Sequence, residues 1–185
     1  PVIRRIQDYR AVTIENLGVV GTPMSAKLND GSLDLVISGF LRESRETRCE
    51  ALTQVHMSAV ARRDHPAIAG ELTLKQFQTL GHVALVPRVR ALSRVDEALR
   101  RLDIRRHIAY SVTKLWSFPQ ILMTTDLIAI LPTPFAKAIA KNYSLSLYDL
   151  PFDYPEERVY MTWKTSRTND PGHRWLRNEI AAALN

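Results

Sequence analysis

Short, almost uninterrupted apolar runs constrain this chain more than any other feature. "LDLVISG" (33–39), "HVALVP" (82–87) and "DLIAILP" (126–132) are too brief for ordinary helices, and turn-forming residues bound them. A strand that is apolar at successive positions is covered on both faces, as in a parallel sheet flanked by helices. Segments of helical spacing lie between the runs. Leu72, Leu74, Phe77 and Leu80 fit a brief helix, and Leu92, Val95, Leu99 and Leu102 fall on one face of another. "SFPQILMTT" and "TPFAKAIAKNY" read as two more. Starts are marked by cap residues: Thr22 before Pro23, Ser93 with Asp96, Thr133 before Pro134, and Asp170 before Pro171. Gly31 can close the first capped helix. The last helix buries Leu176, Ile180, Ala183 and Leu184. Residues 1–10 read as a short amphipathic helix, and "AVTIENLGVV", "ALTQVHMSAVARR", "HIAYSVT", "LSLYDLP" and "RVYMTWK" as further extended segments. This alternation predicts an α/β fold with mainly parallel sheets.

With 185 residues, the chain suits one ordinary domain or two small lobes, and no internal repeat is visible. Hydrophobic residues are 45% and charged residues 24%, an ordinary globular balance that excludes a disordered or low-complexity protein. No apolar run approaches the ~20 residues that span a bilayer, so no membrane role is expected. The net charge is +6, and seven arginines stand against three acids between Arg88 and Arg106. That permits anion or nucleic-acid binding, but a solvated helix face accounts for it more simply. Cys49 is the single cysteine, which fits a cytoplasmic protein and leaves no internal disulfide.

No catalytic constellation emerges, and the chain is not read as an enzyme. Nucleophile-elbow, dinucleotide and phosphate-loop motifs are missing. The five histidines lack metal-ligand spacing, and Cys49 has no CxxC partner, so neither a metal site nor a cofactor is expected. Asp34 and Asp126, each at a strand entrance, read as residues that tie down turns. Binding is better supported. Ligands of open α/β sheets lie beyond the carboxyl ends of the strands. Those positions carry Thr22, Ser38, Lys114, Trp116 and Phe118, a mixture that suits a small aromatic anion. Trp116 and Phe118 read equally as ligand walls or as core, and Lys114 equally as a ligand contact or a surface lysine. His82, opening a strand, is either a satisfied structural residue or a cleft-lining donor.

The segments "LNDGSLDLVISG", "ARRDHPA", "LTLKQFQTLGHV", "DEALRRLDIRRHI", "TDLIAILP" and "WKTSRTNDPGHRWLR" come in order over nearly the whole chain. Together they resemble the effector-binding region of LysR-type transcriptional regulators, closest to the branch of nodulation, salicylate-responsive and nitroaromatic-responsive regulators. The resemblance implies a two-lobed fold like type 2 periplasmic binding proteins. It implies interlobe crossings near residues 72–81 and 155–162, with lobe I at 1–78 plus 160–185 and lobe II at 79–159. A small-molecule effector, an aromatic acid or phenolic compound, would occupy the interlobe cleft and contact Thr22, Ser38, His82, Lys114, Trp116 and Phe118. Lys114 stands where this branch often has histidine, and a permanent cation favours a carboxylate or phenolate more strongly. The family's winged helix-turn-helix and the first strand of lobe I are expected to be absent from this chain. DNA contact would then need that N-terminal domain. A homodimer or homotetramer is implied, with the helices at 1–10 and 93–102 as candidate surfaces. A solute-binding protein of a transport system is the alternative on the same fold.

Overall fold

In a computed structural model, the chain is described over residues 13–15, 24–39, 44–85 and 94–184. The helix expected at 1–10, most of the strand expected at 11–20, and Thr22, Pro23, Leu92 and Ser93 lie outside those residues. The chain forms two compact units: residues 1–54 with 157–185, and residues 55–156. The expected first crossing at 72–81 lies inside the second unit.

In the first unit, strand β1 (Leu35–Ser38) runs antiparallel to β8 (Glu157–Lys164), and the sheet order is β1-β8-β2, with β2 at Thr47–Val55. Its helices are α1 (Met24–Asn29) and α6 (Pro171–Leu184). Gly31 follows α1 at φ +79°, the left-handed turn that glycine takes without steric penalty. Met161 and Trp163 of β8 meet Leu52 of β2 and Ile180 of α6 in the core. Asp170 does cap α6: its carboxylate accepts from the His173 amide at 2.8 Å, with Pro171 at the first helical position. The buried face differs from the expected one. His173 and Arg177 join Ile180 inside, and Leu184 is exposed.

In the second unit, β3 (Met57–Arg62) lies between β6 (Ala129–Pro132) and β7 (Leu145–Tyr148), antiparallel to both. Strand β4 (Gly81–Leu85) pairs in parallel with β5 (His107–Val112). A parallel bridge from His82 to Ile128, with Val83 N–H donating to the Ile128 carbonyl at 2.9 Å, ties β4 to the start of β6. Helices α2 (Leu74–Thr79), α3 (Arg94–Arg101), α4 (Phe118–Thr124) and α5 (Thr133–Ala140) connect and cover the strands.

The sheets are mixed rather than mainly parallel. Strands β4, β5, β6 and β7 share one direction, as helical crossovers require. Strand β3 follows directly on β2 and runs the other way, so both its pairings are antiparallel.

The apolar run of β6 is covered on both faces as expected, whereas that of β1 is not, with Ile37 48% exposed. Alternate side chains of a strand point to opposite faces. On β6, Ala129 and Leu131 join Val60, Phe118, Leu122, Ala136 and Ile139 in one cluster. Ile128 and Ile130 join Ala59, Ala61, Phe77 and Leu99 in the other.

Two helix ends differ from expectation. Thr133 opens α5, but its hydroxyl bonds Ser58 Oγ at 2.7 Å instead of capping the helix. Leu102 does not extend the buried face of α3. Asp103 turns left-handed at φ +54°, and the Ile104 amide bonds the Leu99 carbonyl at 2.9 Å, so Ile104 packs inward instead.

Candidate functional site

Because β4, β5 and β6 are parallel, their carboxyl ends share one edge of the second unit's sheet. Beyond β5 the chain passes Thr113 and Lys114 and makes a single 3-10 turn, Leu115–Ser117, into α4. The Ser117 amide closes that turn on the Lys114 carbonyl at 3.1 Å. Lys114 is exposed, and Trp116 is 74% exposed. Beyond β6, Pro132-Thr133-Pro134 leads into α5 and sets Phe135 edge-on to Trp116, with ring centroids 5.2 Å apart and planes at 76°. The amino end of the antiparallel β3 reaches the same edge. There the His56 carbonyl accepts from the Thr133 amide at 2.9 Å. The His56 ring pairs with Glu156 at 3.2 Å. Both partners are exposed, so the pair stabilises the unit by no more than about 1 kcal/mol.

Lys114 and Trp116 are thus together on one turn at this edge. Phe118 is not beside them at the surface. The same turn points it inward, where it is 1% exposed and packs among Leu122, Ala136 and Ile139. His82 lies at the opposite, amino end of β4 and is fully buried. Its Nε2 donates to the Phe77 carbonyl at 2.7 Å, and its ring meets Phe77 edge-on at 4.6 Å. That assigns the proton to Nε2 and leaves Nδ1 a buried acceptor without a hydrogen-bond partner among the described residues. Burial is the main cause that lowers the His82 pKa to about 4, which keeps the ring neutral near pH 7. Ser38 ends β1 in the first unit. It lines a small recess with Met24, Ser25, Leu28, Thr47 and Thr162. The Thr162 hydroxyl there meets the Cys49 thiol at 3.2 Å. Thr22 lies outside the described residues. Reading the sequence missed Phe135, Ser58 and His56. The signal for Phe135 was available, because it follows β6 much as Trp116 follows β5.

The most distinctive polar motifs act as structural anchors. In "DHP", His65 is buried. Its Nδ1 accepts from the Ala67 amide at 3.2 Å, so Nε2 donates to the Asp126 carbonyl at 3.0 Å. The Asp126 carboxylate receives Arg62 Nε at 2.8 Å, which ties the end of β3 to the entrance of β6. In "DPGHRWLR", Arg177 donates to His173 Nδ1 at 2.6 Å and to the Thr168 carbonyl at 2.8 Å. Its guanidinium lies 4.4 Å from the Trp163 ring centroid, and His173 Nε2 donates to the Asp34 carbonyl at 2.9 Å. Of the described arginines in the arginine-rich segment, Arg100, Arg101 and Arg105 are exposed, Arg94 is half-buried, and Arg106 folds onto Asp96 with contacts of 2.5 and 3.1 Å. Among the described residues no group of histidine, cysteine or carboxylate side chains is placed to hold a metal. None of their helices is long and apolar enough to cross a membrane.

Known proteins share both the sequence and this framework. Residues 4–185 match the family of the LysR substrate binding domain. The transcriptional regulator SyrM of Rhizobium meliloti is 30% identical over 164 residues, 84% of this chain and 48% of its own. The transcriptional activator NahR of Pseudomonas putida is 30% identical over 150 residues, 81% of this chain and 50% of its own. The chain therefore spans about half the length of these relatives. Among solved structures, a probable transcriptional regulator of Pseudomonas aeruginosa matches with a TM-score of 0.87 at 23% identity, over all of this chain and 61% of that one. The regulatory domain of MexT, a transcriptional activator of the same organism, matches with a TM-score of 0.75 at 24% identity, over 86% of this chain and 76% of that one. The two-unit α/β architecture is that of LysR regulatory domains, with a type 2 periplasmic-binding-protein-like fold. By a family match across nearly its whole length, the chain belongs to the LysR substrate-binding-domain family.

Proposed function

We propose that this chain is the effector-sensing part of a LysR-type transcriptional regulator, and that its effector is a small aromatic or phenolic anion. The observation that carries the choice of ligand is the pairing of Lys114 with the open Trp116 ring on one turn. They stand at the carboxyl edge of parallel strands, where such sheets hold ligands. Lys114 would meet the carboxylate or phenolate and Trp116 the ring. No step of this role needs a nucleophile or an acid–base pair. DNA contact is assigned to a segment outside this chain, and the regulator is expected to work as a homodimer or homotetramer in the cytoplasm.

Calorimetric titration of the 185-residue chain with benzoate and salicylate tests this reading. Binding is expected, and Lys114→Ala should weaken it roughly tenfold while the melting temperature stays the same, as the loss of one charge-assisted contact would. Equal affinity of the variant and the wild type would remove Lys114 from the site.

A further inference from the structure

Trp116 is the most exposed of the large apolar side chains described, yet its ring is not left loose. Phe135 meets it edge-on at 5.2 Å. Phe135 is itself packed against the core cluster of Phe118, Leu122 and Ile139. The start of α5 that carries Phe135 is held at three points. The Thr133 amide bonds the His56 carbonyl at 2.9 Å, the Thr133 hydroxyl bonds Ser58 at 2.7 Å, and Pro132 and Pro134 restrict the backbone. Order in the core is thereby passed to an exposed indole. Edge-to-face contact leaves the remaining indole surface open at a set angle, which favours a flat ring stacking on it. A puckered ring of the same charge and similar size offers no π-face to match.

We infer that Phe135 is a positioning residue: by holding the Trp116 ring, it gives the site a preference for flat aromatic anions over alicyclic ones. This rests on the effector-sensing role proposed above. The readout is the ratio of affinities for benzoate and cyclohexanecarboxylate, measured by calorimetry on the 185-residue chain. The wild type is expected to favour benzoate by about tenfold, the range of one aromatic stacking contact. Phe135→Leu keeps an apolar contact with the core but removes the edge-on ring. It should bring the ratio close to one by weakening benzoate alone. Phe135→Tyr keeps the ring and should retain the preference. A merely structural role for Phe135 would lower both affinities together and leave the ratio unchanged. That result, or equal affinity of the wild type for both anions, would overturn the inference and leave the sensing role standing. Binding of neither anion by the wild type would overturn both.

Discussion

Phe118→Ala is expected to destabilise the second unit by about 3–5 kcal/mol, the usual range for emptying a buried aromatic position. The ring is almost fully enclosed by Leu122, Ala136, Ile139 and Val60 from three different elements, so little of the space can collapse. Trp116→Ala, two residues earlier, should shift stability by no more than about 1 kcal/mol, because that ring loses one edge contact and little burial. Urea unfolding followed by far-ultraviolet circular dichroism separates the two. Comparable losses from both variants would mean that Trp116 is as much a part of the core as Phe118.

Acidification from pH 6.5 towards pH 4 should weaken the second unit through His82, by up to about 3 kcal/mol in all and roughly 1.4 kcal/mol per pH unit. The sign follows from burial. The folded-state pKa is lowered to about 4, so between the two values the unfolded chain holds a proton that the folded chain refuses. Stability that is present above pH 6.5 is therefore lost as the pH falls. A protonated ring would also place an N–H at Nδ1, which has no acceptor among the described residues. The hydrogen bond to the Phe77 carbonyl opposes burial, Arg106 and His107 act in the same direction as burial, and Asp96 opposes them. His82→Gln can keep an N–H directed at the Phe77 carbonyl without titrating. The difference in stability between wild type and variant should flatten at or above pH 6.5 and change below it. A constant difference from pH 7.5 to pH 4.5 would show that His82 accepts a proton inside the fold.

What could be read from the sequence was whatever local chemistry decides. The run from Leu127 to Leu131 had to be covered on both faces, and Ala129 and Leu131 do face one cluster while Ile128 and Ile130 face the other. Asp170 had to cap the last helix, and its carboxylate does take the His173 amide. What escaped was decided by distant or angular detail. The direction of β3 depends on Pro132 and Tyr148, its partners at Met57 and Ala59, which lie far along the chain. Trp116 and Phe118 looked alike because only the geometry of a 3-10 turn running into α4 sends one outward and the other inward. His82 Nε2 is met by a carbonyl five residues back, across the end of α2, which composition alone does not reveal. Leu102 lost its place to Ile104 because one aspartate adopts a left-handed turn. The distinctive "DHP" and "DPGHRWLR" motifs identified the family, yet their histidines and Arg177 serve the scaffold. The edge proposed to hold the ligand is built from plainer residues, Lys114, Trp116 and Phe135.

The most direct test of ligand binding at that edge is amide chemical-shift mapping of the 185-residue chain during titration with benzoate. Saturable shifts concentrated at residues 113–117 and 133–136, and lost in Lys114→Ala, are the expected result. Saturable shifts confined to other parts of the chain, or no shifts at all, would contradict it.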